Sequence, residues 1–356
     1  MSVTSDDLRA AVGAGVITEA QAATLAQLSD ERQGYREARA LVDEPFELFK
    51  GFNEIFIVVG LSILYSGWTA VVGLSVAEAG NASLFAVLLA LLQMAFLLPL
   101  TQYFTVKRRM IAPSILLSIF MAVGGFQMGF GLANGTGLSE IRGFAMASGV
   151  TAVVMGLYWW KFRIPFSLLL AALGVFGAAI GMVQGPNSSL SSPYDLFLLS
   201  TGSTESLITI TLGLIAFAVA LRFDMSDPHR VTRRSANGFW LNVLAAPAIV
   251  NSVALTLYSN GSILSMALLF LFLVLMAAVA IIIDRRSFLI SGIGYMIALV
   301  FTVLESAFGL VMLLVGLGLV LLGANWSPLR CWLLNKLPHF KGKDRLPPWQ
   351  KNEVAD

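Results

Sequence analysis

The sequence predicts an all-α polytopic integral membrane protein, with about ten transmembrane helices arranged as tandem helical hairpins and a small cytoplasmic helix-turn-helix head. Three observations predict it. Of the 356 residues, 57% are hydrophobic and only 12% charged, against the about 25% charged that a water-soluble domain carries. Too few polar side chains remain to cover a soluble surface. Ten windows reach the roughly 20 apolar residues that a helix needs to span a hydrocarbon core of ~30 Å. Finally, the basic residues fall almost entirely in alternate connections.

Three regions follow from these patterns: a cytoplasmic helical hairpin over 1–50, a ten-span membrane domain over 51–325 and a basic cytoplasmic tail over 326–356. In the head, Ser5 caps a short helix that the run Gly13-Ala14-Gly15 ends. Thr18 caps a second helix, with Gln21 completing a T-x-x-Q capping box. That helix is expected to run to about Val42, before Pro45. So small a hairpin cannot bury a stable core alone, so it is expected to pack on the membrane domain or on a protein partner. The first fifty residues show no basic n-region, apolar h-region or small-residue cleavage site, so the first apolar span is expected to act as the insertion signal.

The spans are expected at about 54–76, 83–104, 111–132, 143–160, 164–184, 205–222, 237–259, 262–283, 287–304 and 306–323. Assigning the N-terminus and every second loop to one side places 22 of the 23 Lys and Arg residues there, leaving only Arg142 on the other. The second side carries Glu78, Glu140, Asp195, Glu205 and Glu305. Short cytoplasmic loops concentrate Lys and Arg, which puts both termini in the cytoplasm and makes the number of spans even. Between Phe288 and Gly323 the sole ionisable residue is Glu305. One helix of that length would overshoot a bilayer and put the basic tail outside, so a tight hairpin with Glu305 at the outer surface is the better reading.

The stretch 157–166, LYWWKFRIPF, resembles a ligand or nucleic-acid site but is explained by topology. Lys161 and Arg163 are the basic residues of a short inner turn, and Tyr158, Trp159 and Trp160 are expected in the interfacial aromatic belt. Pro165 opens the next helix at a position where its missing N–H costs nothing. Arg109 and Arg163, 54 residues apart, each precede a proline and an apolar run. Arg233 and Arg286 are 53 apart, as are Asn81, Asn134 and Asn187 in outer loops. A fixed period marks repeated units, here hairpins in either a parallel or an inverted arrangement; the alternative is that similar hairpins obey similar membrane rules. The asparagines match N-x-[ST], as does Asn260, and are read as turn residues.

The stretch LRAAVGAGVITEAQAATL resembles the N-terminal G-[IVL]-[IVL]-[ST]-x-x-Q hairpin of uncharacterised bacterial multi-pass membrane proteins in a domain-of-unknown-function family. The resemblance covers some twenty residues and the general layout. It implies a bacterial inner-membrane protein and brings no activity or catalytic residues with it.

The chemistry the chain lacks narrows the choice of function. No span places an ionisable residue near its middle, where such residues are usually functional. With His229 and His339 outside the spans and a single cysteine, Cys331, neither a disulfide framework nor a Cys-based zinc site is expected, and no cofactor is implied. The seventh span carries Asn242, Pro247, Asn251 and Ser252, and Pro247 cannot donate its backbone hydrogen bond. A helix broken there would resemble the midplane sites of transporters; the alternative is a kink whose polar groups serve packing. Gln127 and Gln93 are further midplane candidates, although Gly125/Gly129 and Gly177/Gly181 form GxxxG pairs that suit close helix packing. The outer acids Glu78, Glu140, Asp195, Glu205 and Glu305 form a candidate acidic surface for a metal or a lipid-linked reaction. Two readings lead: a permease-like or flippase-like carrier of a small solute, and a non-catalytic assembly partner docking through residues 1–50. A lipid-acting enzyme ranks third.

Overall fold

The computed structural model describes residues 11, 14–18, 21, 52–78, 82–184, 195–199, 203–227, 233–303, 308–338 and 342–347. The chain divides into two compact units, Met1–Phe46 and Glu47–Asp356. In the first, Gly15 adopts a left-handed φ of 70° and the Val16 N–H bonds the Ala11 carbonyl at 3.0 Å, a glycine-closed helix end. Thr18 and Gln21 then exchange hydrogen bonds. The Thr18 N–H donates to Gln21 Oε1 at 3.0 Å and the Gln21 N–H to Thr18 Oγ1 at 3.3 Å. This is the capping box expected from T-x-x-Q; the remainder of the head, including Ser5, Val42 and Pro45, lies outside the described residues.

In the second unit every regular element among the described residues is helical. The helices are α1 (Phe52–Glu78), α2 (Ala82–Thr101, continued by a π-turn over Gln102–Lys107), α3 (Ala112–Gly135), α4 (Glu140–Phe162), α5 (Pro165–Val183), α6 (Thr204–Met225), α7 (Arg233–Ser259), α8 (Ile263–Ile283), α9 (Ser287–Val303), α10 (Phe308–Ala324) and α11 (Trp326–Lys336). Among the described residues eight helices, α1 to α8, are long and apolar enough to cross a membrane, so the chain is a multi-pass membrane protein. α9 and α10 are shorter, at 17 residues each.

Among the described residues three non-glycine residues turn corners in the left-handed region: Arg109 (φ 54°), Arg163 (φ 55°) and Asp284 (φ 57°). They close the hairpins α2/α3, α4/α5 and α8/α9. Arg109 and Arg163, paired by the 54-residue spacing, thus share a backbone conformation that L-residues adopt only when the turn demands it. Pro165 opens α5 in its first turn, as expected.

α4 is clamped between α3 and α5 by glycines. A Cβ on Gly129 would lie 2.6 Å from Ala147 Cα, one on Gly174 would lie 2.7 Å from the Ala152 nitrogen, and one on Gly181 would lie 2.9 Å from Ala145 Cβ. Lipid tails are as apolar as leucine, so helices associate there through close packing of this kind. Both GxxxG pairs therefore act as helix seams. α6 approaches α7 similarly: a Cβ on Gly213 would lie 2.7 Å from Ala248 Cβ. One apolar core gathers Leu97, Leu117, Met155 and Phe162 of α2 to α4. A second gathers Val250, Leu269, Leu273, Phe288 and Trp326.

The aromatic triplet behaves differently from expectation. Only Trp160 is exposed, at 67%. Tyr158 is buried and shares a hydrogen bond with Thr101 at 2.8 Å, while Trp159 Nε1 donates to Asn237 Oδ1 of α7 at 3.4 Å. Consecutive residues on an α-helix point about 100° apart, so three in a row cannot all face lipid.

At Asn325 the chain bends by 74° between α10 and α11. Trp326 is buried there, and its Nε1–H donates to Asp284 Oδ1 at 2.7 Å. α10 therefore ends beside the turn where α9 begins.

Candidate functional site

The cleft between α1, α2 and α3 holds the most developed arrangement of polar groups away from helix ends. Its centre is Gln93, halfway along α2 and 3% exposed. Its Oε1 accepts from Trp68 Nε1 at 3.0 Å, and its Nε2 donates to the Tyr65 hydroxyl at 3.2 Å and the Phe120 carbonyl at 3.1 Å. Two helices thus satisfy an amide that would cost several kcal/mol, on the order of 2–7, if buried without partners. Tyr65 stacks flat on Phe120 with ring centroids 3.8 Å apart. Gly124 makes room, since a Cβ there would lie 3.0 Å from Gln93 Nε2.

Gln93 lines two cavities. The one toward the basic end measures about 600 Å³ and is walled by Leu61, Leu64, Tyr65 and Trp68 of α1, Phe96 and Leu100 of α2, and Leu117 and Phe120 of α3. Leu64 and Phe96 are themselves exposed, so this cavity opens sideways onto the outside of the bundle. The other, about 480 Å³, lies toward the opposite end and is bounded by Thr69, Ser83, Gln127, Phe130 and Asn134. The two midplane glutamines selected from sequence therefore meet at one cavity, together with Asn134 of the repeated asparagine series. Among the described residues neither cavity is lined by a charged side chain.

The seventh-span candidates do not form a site of this kind. α7 runs unbroken from Arg233 to Ser259 through Pro247. The close contact of Gly213 with Ala248 packs α6 against the turn that contains the proline, and membrane helices accommodate proline where neighbours support them. Ser252 Oγ donates to the Ala248 carbonyl at 2.7 Å. Pro247 and Asn251 are half-buried. Nine residues at about 100° each put Asn251 on the face opposite Asn242, so the two amides cannot converge.

Asn242 instead joins a cluster that the sequence reading missed. Arg285, 0% exposed, grips Asp224 of α6 through Nε to Oδ2 at 3.1 Å and Nη2 to Oδ1 at 2.5 Å, and Nη2 also donates to the Ser235 carbonyl at 2.9 Å. Asn242 Nδ2 donates to Asp224 Oδ2 at 3.3 Å. A Cβ on Gly238 would collide with Asp224 Oδ1, so the glycine admits the carboxylate. Counted with the inner-loop cations, Arg285 is in fact buried beneath them. A carboxylate in the last turn of an otherwise apolar span, on the basic side, was the available signal. Glu54 is another buried acid at this end, accepting from the Ala112 N–H at 3.2 Å at the start of α3.

The described outer acids sit on separate elements. Glu140 and Glu205 sit in the first turns of α4 and α6, where the helix dipole favours a negative charge. Asp195 is exposed in a turn. The side chain of Glu78 and all of Glu305 lie outside the described residues. Among the described residues no three His, Cys, Asp or Glu side chains come together as a metal-binding group.

No protein-family model, curated protein or solved structure matches the chain.

Proposed function

We propose that the protein is a permease-like carrier of an uncharged molecule, with its binding site in the α1–α2–α3 cleft around Gln93 and Gln127. The observation that carries this reading is Gln93 itself: a buried mid-helix amide, tied to α1 and α3, that faces two adjoining cavities. A polar side chain deep in a span is expensive and tends to mark a pathway or a site. The reading favours this cleft over α7 because α7 is continuous and its two amides, Asn242 and Asn251, lie on opposite faces.

The reading includes ten crossings, with both termini on the cytoplasmic side of a bacterial inner membrane. α9 begins and α10 ends beside Asp284, which supports an outward and a return pass. Each 17-residue helix is about 25 Å long at ~1.5 Å per residue, near the lower limit for a span, and Glu305 falls between them. The basic turns and the resemblance of residues 8–25 to bacterial multi-pass proteins support the sidedness. Membrane-impermeant maleimide should then label Cys331 only from the inner face, and Glu305→Cys in a Cys331→Ser background only from the outer face.

The carrier reading is tested in proteoliposomes by following two uncharged probes across the bilayer, glycerol and a fluorescent monoacylglycerol. The wild type should accelerate at least one of them over protein-free vesicles, and Gln93→Leu should abolish the gain. No acceleration of either probe refutes the carrier.

A second reading rests on the separate compactness of Met1–Phe46: a docking module for a protein partner. Deleting residues 1–46 would then remove a stoichiometric co-purifying protein while the membrane unit stays folded. Retention of every partner would discard it.

A further inference from the structure

Resting on the placement of the site at Gln93, we infer that the ligand of the α1–α2–α3 cleft is a single-chain amphiphile with a neutral polar headgroup. The chain lies in the apolar cavity and the headgroup faces Gln127, Ser83 and Asn134. Three features of the cleft lead to this class.

The first is polarity. The 600 Å³ cavity offers a ligand aliphatic and aromatic surface, broken only by the groups around Gln93 that already bond one another. A water-soluble solute placed there would lose its hydration without replacement, at roughly 1–3 kcal/mol per unpaired polar group. An alkyl or isoprenoid chain loses nothing there. The second is charge. Among the described residues no Lys, Arg, Asp or Glu lines either cavity, so an ionised headgroup would find no counter-charge among them. Hydroxyls and amides find complementary groups in Thr69, Ser83, Gln127 and Asn134. The third is access. The apolar cavity is walled on its open side by Ile63, Leu64, Leu92 and Phe96, all exposed on the flank of the bundle. Its entrance therefore faces the acyl chains of the bilayer and not the aqueous phase.

Gln93 lines both cavities, and the ligand is inferred to pass its side chain, with the chain in one cavity and the headgroup in the other. α1 contributes residues from Leu61 to Val72, a length of about 17 Å at ~1.5 Å per residue. That suits a chain lying along the helices with its headgroup toward the end of α2 that carries Ser83. The Trp68–Gln93–Tyr65 bonds form the boundary between the two environments, holding the amide where the chain meets the headgroup.

The test is native mass spectrometry of the full chain, together with binding titrations in a mild non-ionic detergent. The probes are monooleoylglycerol, glycerol and monooleoylphosphatidic acid. Monooleoylglycerol should bind one per chain, and glycerol and the phosphorylated analogue at least about tenfold more weakly. Leu64→Trp fills the apolar cavity from an exposed position that carries no packing load, and should weaken binding about tenfold or more. Gln127→Leu, which removes one headgroup partner, should weaken it about fivefold, the equivalent of roughly 1 kcal/mol. Equal binding of all three probes, or wild-type affinity in Leu64→Trp, overturns the inference. Gln93-dependent glycerol movement without monooleoylglycerol binding would leave the carrier standing and remove the lipid ligand. Binding without any probe movement would do the reverse.

Discussion

Removing the carboxylate of Asp224 should be among the most damaging single substitutions in the membrane unit. Asp224 is 6% exposed and Arg285 fully buried. The pair makes two charged hydrogen bonds, with a third from Asn242. Asp224→Ala leaves a guanidinium enclosed with only the Ser235 backbone and hydroxyl among these partners. Breaking a buried pair by deleting one partner costs about 3–5 kcal/mol. Asp224→Asn keeps the shape and one acceptor, and should cost about 1.5–3 kcal/mol, the worth of one hydrogen bond to a charged group. The decisive variant is Asp224→Leu combined with Arg285→Met. Replacing both charges by apolar groups of similar volume is often close to neutral, so the double variant should be more stable than Asp224→Ala by at least ~2 kcal/mol. Equilibrium unfolding in mixed micelles, followed by circular dichroism against the mole fraction of denaturing detergent, measures all three. If Asp224→Ala lies within ~1 kcal/mol of wild type, or the double variant loses the sum of the singles, the ion pair is not what binds α6, α7 and the α8–α9 turn together.

Other expectations rest on the same unfolding measurement. Gly174→Ala should cost about 1–3 kcal/mol through overpacking, because its Cβ would lie 2.7 Å from the Ala152 nitrogen. Gly156→Ala, whose Cβ meets nothing within 4 Å, should be neutral or stabilise by up to ~1 kcal/mol; equal effects at the two sites would disprove the seam. Trp326→Phe retains the ring but loses the bond to Asp284, and should cost about 1.5–3 kcal/mol, whereas Trp332→Phe on the exposed face should cost less than ~0.5 kcal/mol. Arg163→Gly relieves a left-handed non-glycine corner and should leave stability unchanged or raise it by ~1 kcal/mol. A loss above that would mean that the guanidinium over Trp159 at 5.1 Å matters more than backbone strain.

The helical framework was legible from hydropathy because spans of lipid-facing residues need no partner to declare themselves. α1 is the clearest case: only 11% of its span is buried, so its sequence records the solvent and little else. The capping box at Thr18 and Gln21 and the proline opening α5 were legible because each is a local motif. The glycine seams were legible as spacing, although spacing alone could not say that both face α4. What escaped was everything that depends on depth. Arg285 and Arg286 are adjacent and identical in type, yet the first is fully buried and the second exposed. The left-handed Asp284 is the corner that precedes them, and the rotation there sends neighbouring side chains in different directions. Asn242 and Asn251 looked like one polar site because they share a helix, and their spacing puts them back to back. Gln93 stood out as a polar residue in an apolar span, but nothing in the sequence pairs it with Trp68 and Tyr65, 25 and 28 positions earlier.

The bond between Trp326 and Asp284 joins residues separated by 42 positions, and the ribosome makes them in order. Asp284 leaves the exit tunnel while α9 and α10 have yet to be synthesised. The indole that bonds its carboxylate is made only after both. A chain stalled or cleaved between α9 and α11 would present an unlatched α8–α9 corner, with the second core lacking the ring that seals it. Membrane quality-control proteases that sample loosely packed helix ends would meet that corner in unfinished chains and find it closed in finished ones. The 74° bend at Asn325 brings the ring back onto the corner, so the second core closes only once the end of α10 and the start of α11 are in place.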